Sequence, residues 1–375
     1  MSLKILAVIP ARKGSRGIPN KNIRILNGKP MVCYAISNAL KSNLITDMMQ
    51  LNHISPYFSI VIPCWGAEEY FDEATSSVLK QSFCDLELIL VDDKSPGNIP
   101  TMCDELAQKD VRVKVIHNSE NLNISATQNV GLLAAEGEYI LFLDNDDYLE
   151  PDILQAAHDH IESADRDERS DIVQCDYNMI LEEGASKYSR FKLQDKYDIA
   201  HQPDDLRMAT IIKLRMRSEL TPCCASRFIR RDMLIQNRIF FNSRYDANQD
   251  VDFTTQAYWY AKRISVLKKS AYVQRKRPDS VSQNLSFQSR LNRFNLFADE
   301  IKVVTMLKIP IKDKLRIMLY LGRRFDNVLS DAKRDNNLTE QEMRLLRRAA
   351  RKYPLARTLG IFGSIRKSIR KLLRR

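Results

Sequence analysis

Three carboxylates follow an apolar run in the stretch 139–152, Y-I-L-F-L-D-N-D-D-Y-L-E-P-D. Asp144 and Asp146 are separated by one residue. Hard oxygen ligands at that spacing can share a divalent cation, which in turn can hold a diphosphate. A plainer reading is an acidic turn before a helix that starts near Pro151, with Asp147 or Asp152 as first-turn charges. The stretch alone favours neither reading, and the elements in front of it decide.

From Phe58 the chain alternates apolar strands with helical stretches: F-S-I-V-I-P, helix, L-E-L-I-L-V-D-D, helix, V-K-V-I-H, helix, then Y-I-L-F-L-D. That alternation predicts right-handed βαβ units and a mostly parallel α/β sheet. Such sheets bind ligands at the carboxyl edge of their strands, where Pro63, Asp92, Asp93 and the acids of 144–147 all emerge. Acids arriving from separate strand ends at one crevice weaken the turn reading. For Asp92 and Asp93 the plainer alternative is a pair of turn acids ahead of Pro96-Gly97.

The 375 residues, 44% of them hydrophobic, are enough for one large or two ordinary globular domains. Seven Cys with no C-x-x-C pair indicate neither a disulfide framework nor a zinc site, and fit a reducing cytoplasm. The five His form no metal constellation; His158 and His160 point to different faces of a helix and are expected at the surface. Net charge is +11, but twelve basic residues and no acid lie from Arg344 onward, so the rest of the chain stands at −1. The basicity belongs to a tail, which argues against a nucleic-acid-binding domain. No apolar run reaches the length of a membrane span. Helices are predicted at 287–307, 312–330 and 338–353. A last one, from about Ile361, sets Ile361, Phe362, Ile365, Ile369, Leu372 and Leu373 in a stripe against Arg and Lys, which suits an anionic membrane surface.

The first residues make a separate start. A short strand at 4–10 leads into A-R-K-G-S-R-G-I-P-N-K-N and a helix predicted from about Pro30 to Lys41. Glycines with Arg12, Lys13, Arg16 and Lys21 in a strand-to-helix loop suit a phosphate cradle. With N-G-K-P at 27–30, this segment resembles the opening of the cytidylyltransferases that activate sialic acid and related sugars. The likeness covers about the first 46 residues, without that family's later metal-binding acid or sugar-acid pocket.

Residues 57–284 resemble a glycosyltransferase of family 2 with the GT-A fold. The likeness is carried by S-I-V-I-P at 59–63, V-D-D-K-S at 91–95, N-L-N-I-S-A-T-Q-N-V-G at 121–131, A-A-E-G-E-Y-I-L-F-L-D-N-D-D at 134–147 and N-Q-D-V-D-F at 248–253. It implies that Pro63, Glu68 and Asp93 border the base and ribose of a nucleotide-sugar donor, with a UDP-sugar the expected class and Asp92 supporting. Asn129 falls on the same donor side, beside Gln128, where many relatives carry Arg. It further implies that Asp144 and Asp146 serve the donor ribose and a Mn²⁺ or Mg²⁺ ion. The family's base comes from an E-D pair; the matching pair here is Gln249-Asp250, so Asp250 is the candidate general base and Asp252 the fallback. A helix merely starting at Asp250 is the plainer reading. The loop Y-V-Q-R-K-R-P-D-S-V-S at 272–282 resembles the family's late loop, with Arg275, Arg277 and Ser280 at the positions that close over a diphosphate.

These readings divide the chain into a cytidylyltransferase-like fragment (1–46), a linker (47–56), the GT-A domain (57–284) and a helical region with a membrane-associating end (285–375). The function they imply is an inverting, metal-dependent transfer of a sugar to a lipooligosaccharide-like or capsular acceptor at the inner face of the cell membrane, with no nucleic-acid partner. The competing readings are a sugar-acid cytidylyltransferase and a non-enzymatic basic adaptor. One strand and one helix cannot bury a core alone. Deleting residues 2–50 should therefore leave glycosyl transfer intact, and the full chain should make no CMP-sugar from CTP; synthesis of CMP-sugar by the intact protein would refute the inert-fragment reading.

Overall fold

Two compact units divide the chain, Met1–Tyr57 and Phe58–Arg375. The computed structural model describes residues 25–26, 29–30, 55–181, 184–189, 202–221, 223–245, 249–276, 286–334 and 338–361. In the first unit β1 (Ile25–Leu26) pairs antiparallel with β2 (Lys29–Pro30). Pro30, expected to open a helix, thus ends a short strand, and the strand and phosphate loop expected before it lie outside the described residues.

The second unit opens with β3 (Phe58–Cys64), β4 (Leu86–Asp92), β5 (Val113–His117) and β6 (Tyr139–Phe142), all parallel. Every residue of β3, β4 and β6 is buried, as a sheet covered on both faces requires. The crossovers are α1 (Glu68–Leu79), α2 (Ile99–Lys109) and α3 (Asn123–Ala134). Helix α3 crosses β3 so closely that a Cβ on Gly131 would stand 2.2 Å from Val61 Cγ1.

The register that delivers the acids is set at the other end of these strands by Glu87, only 4% exposed. Its Oε1 accepts from Ser59 Oγ at 2.5 Å and from the N–H groups of Glu136 at 2.7 Å and Gly137 at 3.2 Å. Lys114 Nζ, 2.8 Å from Oε2, balances the charge. A carboxylate so satisfied can be buried. Tying the entry of β6 to β3 and β4 pairs Phe58 with Tyr139 and Val61 with Phe142, so the acids of 144–147 emerge beside the ends of β3 and β4.

Beyond β6 the sheet is mixed: β10 runs antiparallel to β6 and β8, whereas β11 runs parallel to β8 and antiparallel to β7. The chain makes β7 (Tyr148–Leu149), α4 (Ile153–Glu162), β8 (Ile172–Leu181), β9 (Gly184–Ser189), α5 (Asp204–Met216), β10 (Arg227–Arg230), α6 (Arg231–Gln236), α7 (Gln249–Tyr260) and β11 (Ile264–Lys276). The nine-stranded sheet runs β5-β4-β3-β6-β10-β8-β11-β7, with β9 paired to β8. His158 on α4 is not at the surface: its ring lies 4.6 Å from that of Phe83, with 14% of the side chain exposed. His160 instead meets Ser265 Oγ at 2.9 Å, in keeping with its separate face.

Helices α8 (Phe287–Met306), α9 (Ile311–Arg334) and α10 (Glu340–Arg351) follow, close to the spans expected. A capping box starts α10: Thr339 Oγ1 accepts from the Glu342 N–H at 3.2 Å, and Glu342 Oε2 accepts from the Thr339 N–H at 2.8 Å. Phe294, Phe297, Leu321, Phe325 and Leu346 form a second core that reaches α5 through Ala209 and Ile212. A further helical turn at 354–361 contributes Ala356 and Leu359 to that core, so the chain just after Lys352 is structural. The stripe at 362–375 lies outside the described residues, and no described helix is long and apolar enough to cross a membrane.

At the crossing of α9 with 354–361, a Cβ on Gly322 would stand 2.6 Å from Leu359 Cβ and 2.7 Å from the Gly360 nitrogen. Backbone cannot retreat as a side chain does. Gly322→Ala should therefore destabilise the fold by about 1–3 kcal/mol, read as a lower urea midpoint; an unchanged midpoint would mean that the crossing yields freely.

Candidate active site

The site lies where β3, β4 and β6 end. The loop after β3 places Gly66 and Ala67 at φ 61° and 56°, a left-handed pair that costs energy at the alanine and needs outside support. Support comes from both neighbours: the Gly66 N–H donates to Ser95 Oγ at 2.8 Å, and the Gly66 carbonyl accepts from Asn145 Nδ2 at 2.8 Å. Asn145 of D-N-D-D thus ties the β6 loop to the β3 loop. Trp65, 55% exposed, projects from the same loop.

The expected donor-side acids are held by their surroundings. Asp92 Oδ1 accepts from the Ser95 N–H at 2.9 Å, and its Oδ2 lies 2.9 Å from His117 Nδ1. Asp92 and then Asp104 draw the His117 pKa upward. Asp93 Oδ1 accepts from Asn118 Nδ2 at 2.9 Å and from the Leu122 N–H at 2.8 Å. Glu68 Oε1 accepts from the Asn98 N–H at 2.6 Å, and a Cβ on Gly97 would stand 2.0 Å from it. Each carboxylate therefore braces a loop at the rim, as the turn reading asked, while standing at the carboxyl edge, as the donor reading asked. Pro63 is buried within β3, opposite Val91.

Asn129 does something else. It exchanges two hydrogen bonds with the Phe241 backbone, each 2.8 Å, and so joins α3 to the segment before α7. The neighbouring Gln128, 1% exposed, reaches only Cys224 Sγ at 3.9 Å. Phe241 itself is core, stacked on Phe253 at 3.9 Å and edge-on to Phe142 at 4.9 Å.

The β6 end gathers Asp144, Asp146 and Asp147, whose ligand oxygens all lie within 4.8 Å of one another. Asp147, which the sequence left open between the crevice acids and a helix-start charge, is the third member. Its Oδ1 accepts from the Arg275 N–H at 2.8 Å, and Arg275 Nε donates to the Asp146 carbonyl at 3.2 Å. The Arg275 guanidinium pairs with Glu73 and lies 4.5 Å from the Tyr70 ring, so α1 aims it along the rim. Arg277 and Ser280 lie outside the described residues.

Helix α7 brings Asp250 to the same place. Burial, then Asp146, then Asp250 push the Asp144 carboxyl up to about 7. Burial, then Asp144 and Asp146 raise Asp147 well above its ordinary range, against the Arg275 N–H. Asp250 is raised by burial and drawn back by the Cys224 thiol, which donates to Oδ1 at 3.3 Å, and by Arg227. Asp252 faces the other way, into a cavity between α5, α7 and α8. Cys224 and the fully buried Arg227 have no sequence signal, because only the pairing of β10 with β6 and β8 sets them behind Asp250.

A parallel nucleotide-binding half-sheet with clustered aspartates at its carboxyl edge defines a nucleotide-diphosphosugar transferase fold. Residues 59–237 match the family model for glycosyl transferase family 2, and residues 6–50 match that for cytidylyltransferase. Residues 59–237 are thus similar to glycosyl transferase family 2, and residues 6–50 to the cytidylyltransferases. An uncharacterized glycosyltransferase of Bacillus subtilis, EpsJ, is 28% identical over 236 residues, which span 61% of this chain and 63% of that protein. The poly(ribitol-phosphate) beta-N-acetylglucosaminyltransferase TarS of Staphylococcus aureus is 29% identical over 218 residues, 57% of this chain and 35% of TarS. The crystal structure of TarS 1-349 in complex with UDP superposes with a TM-score of 0.56 at 20% identity, covering 84% of this chain and 91% of that one, which establishes the shared fold.

The raised Asp144 pKa has a sign that can be measured. Below the ordinary carboxylate range Asp144 is protonated in both folded and unfolded chains. Between that range and about 7 the unfolded chain ionises while the folded one resists, so the metal-free protein loses stability as pH rises through this window. Asp144→Asn should remove the loss, raising Tm relative to wild type more at about pH 8 than at about pH 5 in EDTA. An equal Tm difference at both pH values would show that Asp144 ionises normally.

Proposed function

We propose that the protein transfers a sugar from a nucleotide-sugar, with UDP-sugars the leading class, to a hydroxyl of a surface-glycan acceptor with inversion at the anomeric carbon. The observation that supports this most is that Asp250 is close enough to Asp144 to raise its pKa, where Asp144, Asp146 and Asp147 cluster at the carboxyl edge of the sheet. The donor set fits a hard divalent cation: three carboxylates and no soft ligand. Asp144 and Asp146, with Asp147, would hold Mn²⁺ or Mg²⁺, which when bound supplies positive charge to the departing diphosphate.

The chain's own groups do the rest. Asp250 takes the proton of the acceptor hydroxyl onto a carboxylate oxygen. The freed lone pair forms the new bond to the anomeric carbon, and the old bond on the opposite face breaks with its electrons on the nucleoside diphosphate. Arg227, buried behind the base, favours its ionised form, and the Cys224 thiol fixes one carboxylate oxygen so that the other addresses the acceptor. Arg275 borders the diphosphate side, where its fork suits phosphate oxygens. Pro63, Glu68, Asp92 and Asp93 shape the nucleoside end. The acceptor class is drawn from relatives that build bacterial surface polymers, and the basic stripe after residue 361 would hold the enzyme on an anionic membrane.

Screening nucleotide-sugars for release of nucleoside diphosphate tests the whole reading. Asp250→Asn keeps the shape of the base and removes proton acceptance, so kcat should fall about 10²-fold or more while donor binding persists. Asp146→Ala or EDTA should abolish turnover in a folded protein. Full turnover in EDTA would sink the metal role, and a dead Asp252→Asn beside an active Asp250→Asn would move the base to Asp252.

A further inference from the structure

Helix α7 has a second face. Opposite Asp250 it borders a cavity of about 310 Å³ lined by Tyr245, Asp252, Trp259, Tyr260, Asp299 and Glu300, with apolar residues of α5 and α8 between them. The volume is in the range of small-ligand sites. One polar group in it is unspent. Glu300 Oε2 is buried without a hydrogen-bond partner among the described residues, although the carboxylate pairs with Arg215. Leaving such a group unsatisfied is costly, and a ligand that bonds to it recovers that cost. Tyr245, 9% exposed, lines the same cavity.

The charge selects the ligand. Asp252, Asp299 and Glu300 face one committed cation, Arg215. Arg207 is engaged with the Trp259 carbonyl and lies 5.9 Å from the Trp259 ring. Burial, then Asp299, Asp252 and Glu300 raise the Tyr245 hydroxyl to about 12, a sign of the same negative field. Phosphate is repelled from such a place. A ligand rich in hydroxyl donors, with apolar ring faces for Trp and Tyr, meets every feature.

We propose that this cavity binds an uncharged saccharide unit of the acceptor glycan, remote from the unit that receives the new sugar. Asp250 and Asp252 share the first turn of α7, so a chain entering at the base reaches the cavity by rounding one helix, roughly 10 Å across. The inference rests on the glycosyl-transfer reading in taking the ligand to be an acceptor. It also sets this chain apart from enzymes whose acceptor carries a phosphate at every unit, because that polymer would be excluded here.

The two tryptophans of the chain report on the two sites separately: Trp65 stands at the end of β3 and Trp259 in the cavity. Full-length protein labelled with fluorotryptophan is titrated with UDP and Mn²⁺, with lactose, cellobiose and maltose, and with glycerol phosphate. A neutral disaccharide should shift the Trp259 signal and leave Trp65 in place, and glycerol phosphate should shift neither. Asp299→Asn and Tyr245→Phe, both outside the catalytic crevice, should each raise the half-saturating saccharide concentration about tenfold or more. Neither change empties the core, so both variants are expected to fold. Saccharides that leave Trp259 unmoved, or glycerol phosphate that moves it, would overturn the proposal. If UDP moves Trp65 in that case, the donor reading stands without the cavity; saccharide at Trp259 with no response to UDP would retain the cavity and remove the donor reading.

Discussion

Mutual repulsion among carboxylates is the constraint on which this structure turns. Asp144, Asp146 and Asp147 are held within 4.8 Å of one another, and Asp250 is close enough to add to the burden on Asp144. In a partly buried crevice such charges cannot all persist without protons or a cation. The rest of the domain keeps them together in spite of that. Glu87 and Ser59 lock the entry of β6, the Arg275 N–H holds Asp147, and Asn145 anchors the loop to Gly66. A site that spends stability on assembling like charges gains from whatever positive group joins it.

How much of this was legible in the sequence follows from the range of the interactions. Strands β3 to β6 announce themselves because strands buried on both faces must be continuously apolar, and D-N-D-D because it ends such a run. The helices after residue 287 are equally plain, since their apolar periodicity is local. The mixed half is not: β10 is the four-residue R-F-I-R, and nothing in those letters says that it pairs with β6 on one side and β8 on the other. Arg227 reads as a surface charge until that pairing buries it. The sequence left the place of Asp147 open for a related reason, because its partner in the structure is the backbone of Arg275, 128 residues away.

Asn129 and the rim acids show where a family likeness and a physical role part company. Asn129 was placed on the donor side, yet both of its amide atoms are used on the Phe241 backbone. Its contribution is to fix the segment that leads into α7, and hence Asp250. Asp92 and Glu68 likewise spend carboxylate oxygens on the loops after β4. A donor would meet loops already braced, which lowers the ordering cost of binding.

The same economy explains why the first turn of α7 carries Asp250 and Asp252 two residues apart. On a helix that spacing sends side chains to opposite sides, so one acid joins the aspartate cluster and the other the cavity beneath α8. Both are raised chiefly by burial, but their neighbours differ. The Cys224 thiol and then Arg227 oppose the rise at Asp250; at Asp252 Gln256 and Arg215 oppose it and Glu300 adds to it. A base must stay ionised to accept a proton, and the fully buried Arg227 favours that form at Asp250. Asp252 lies instead among Asp299, Glu300 and the rings of Tyr245, Trp259 and Tyr260, so one turn holds two acids in unlike surroundings.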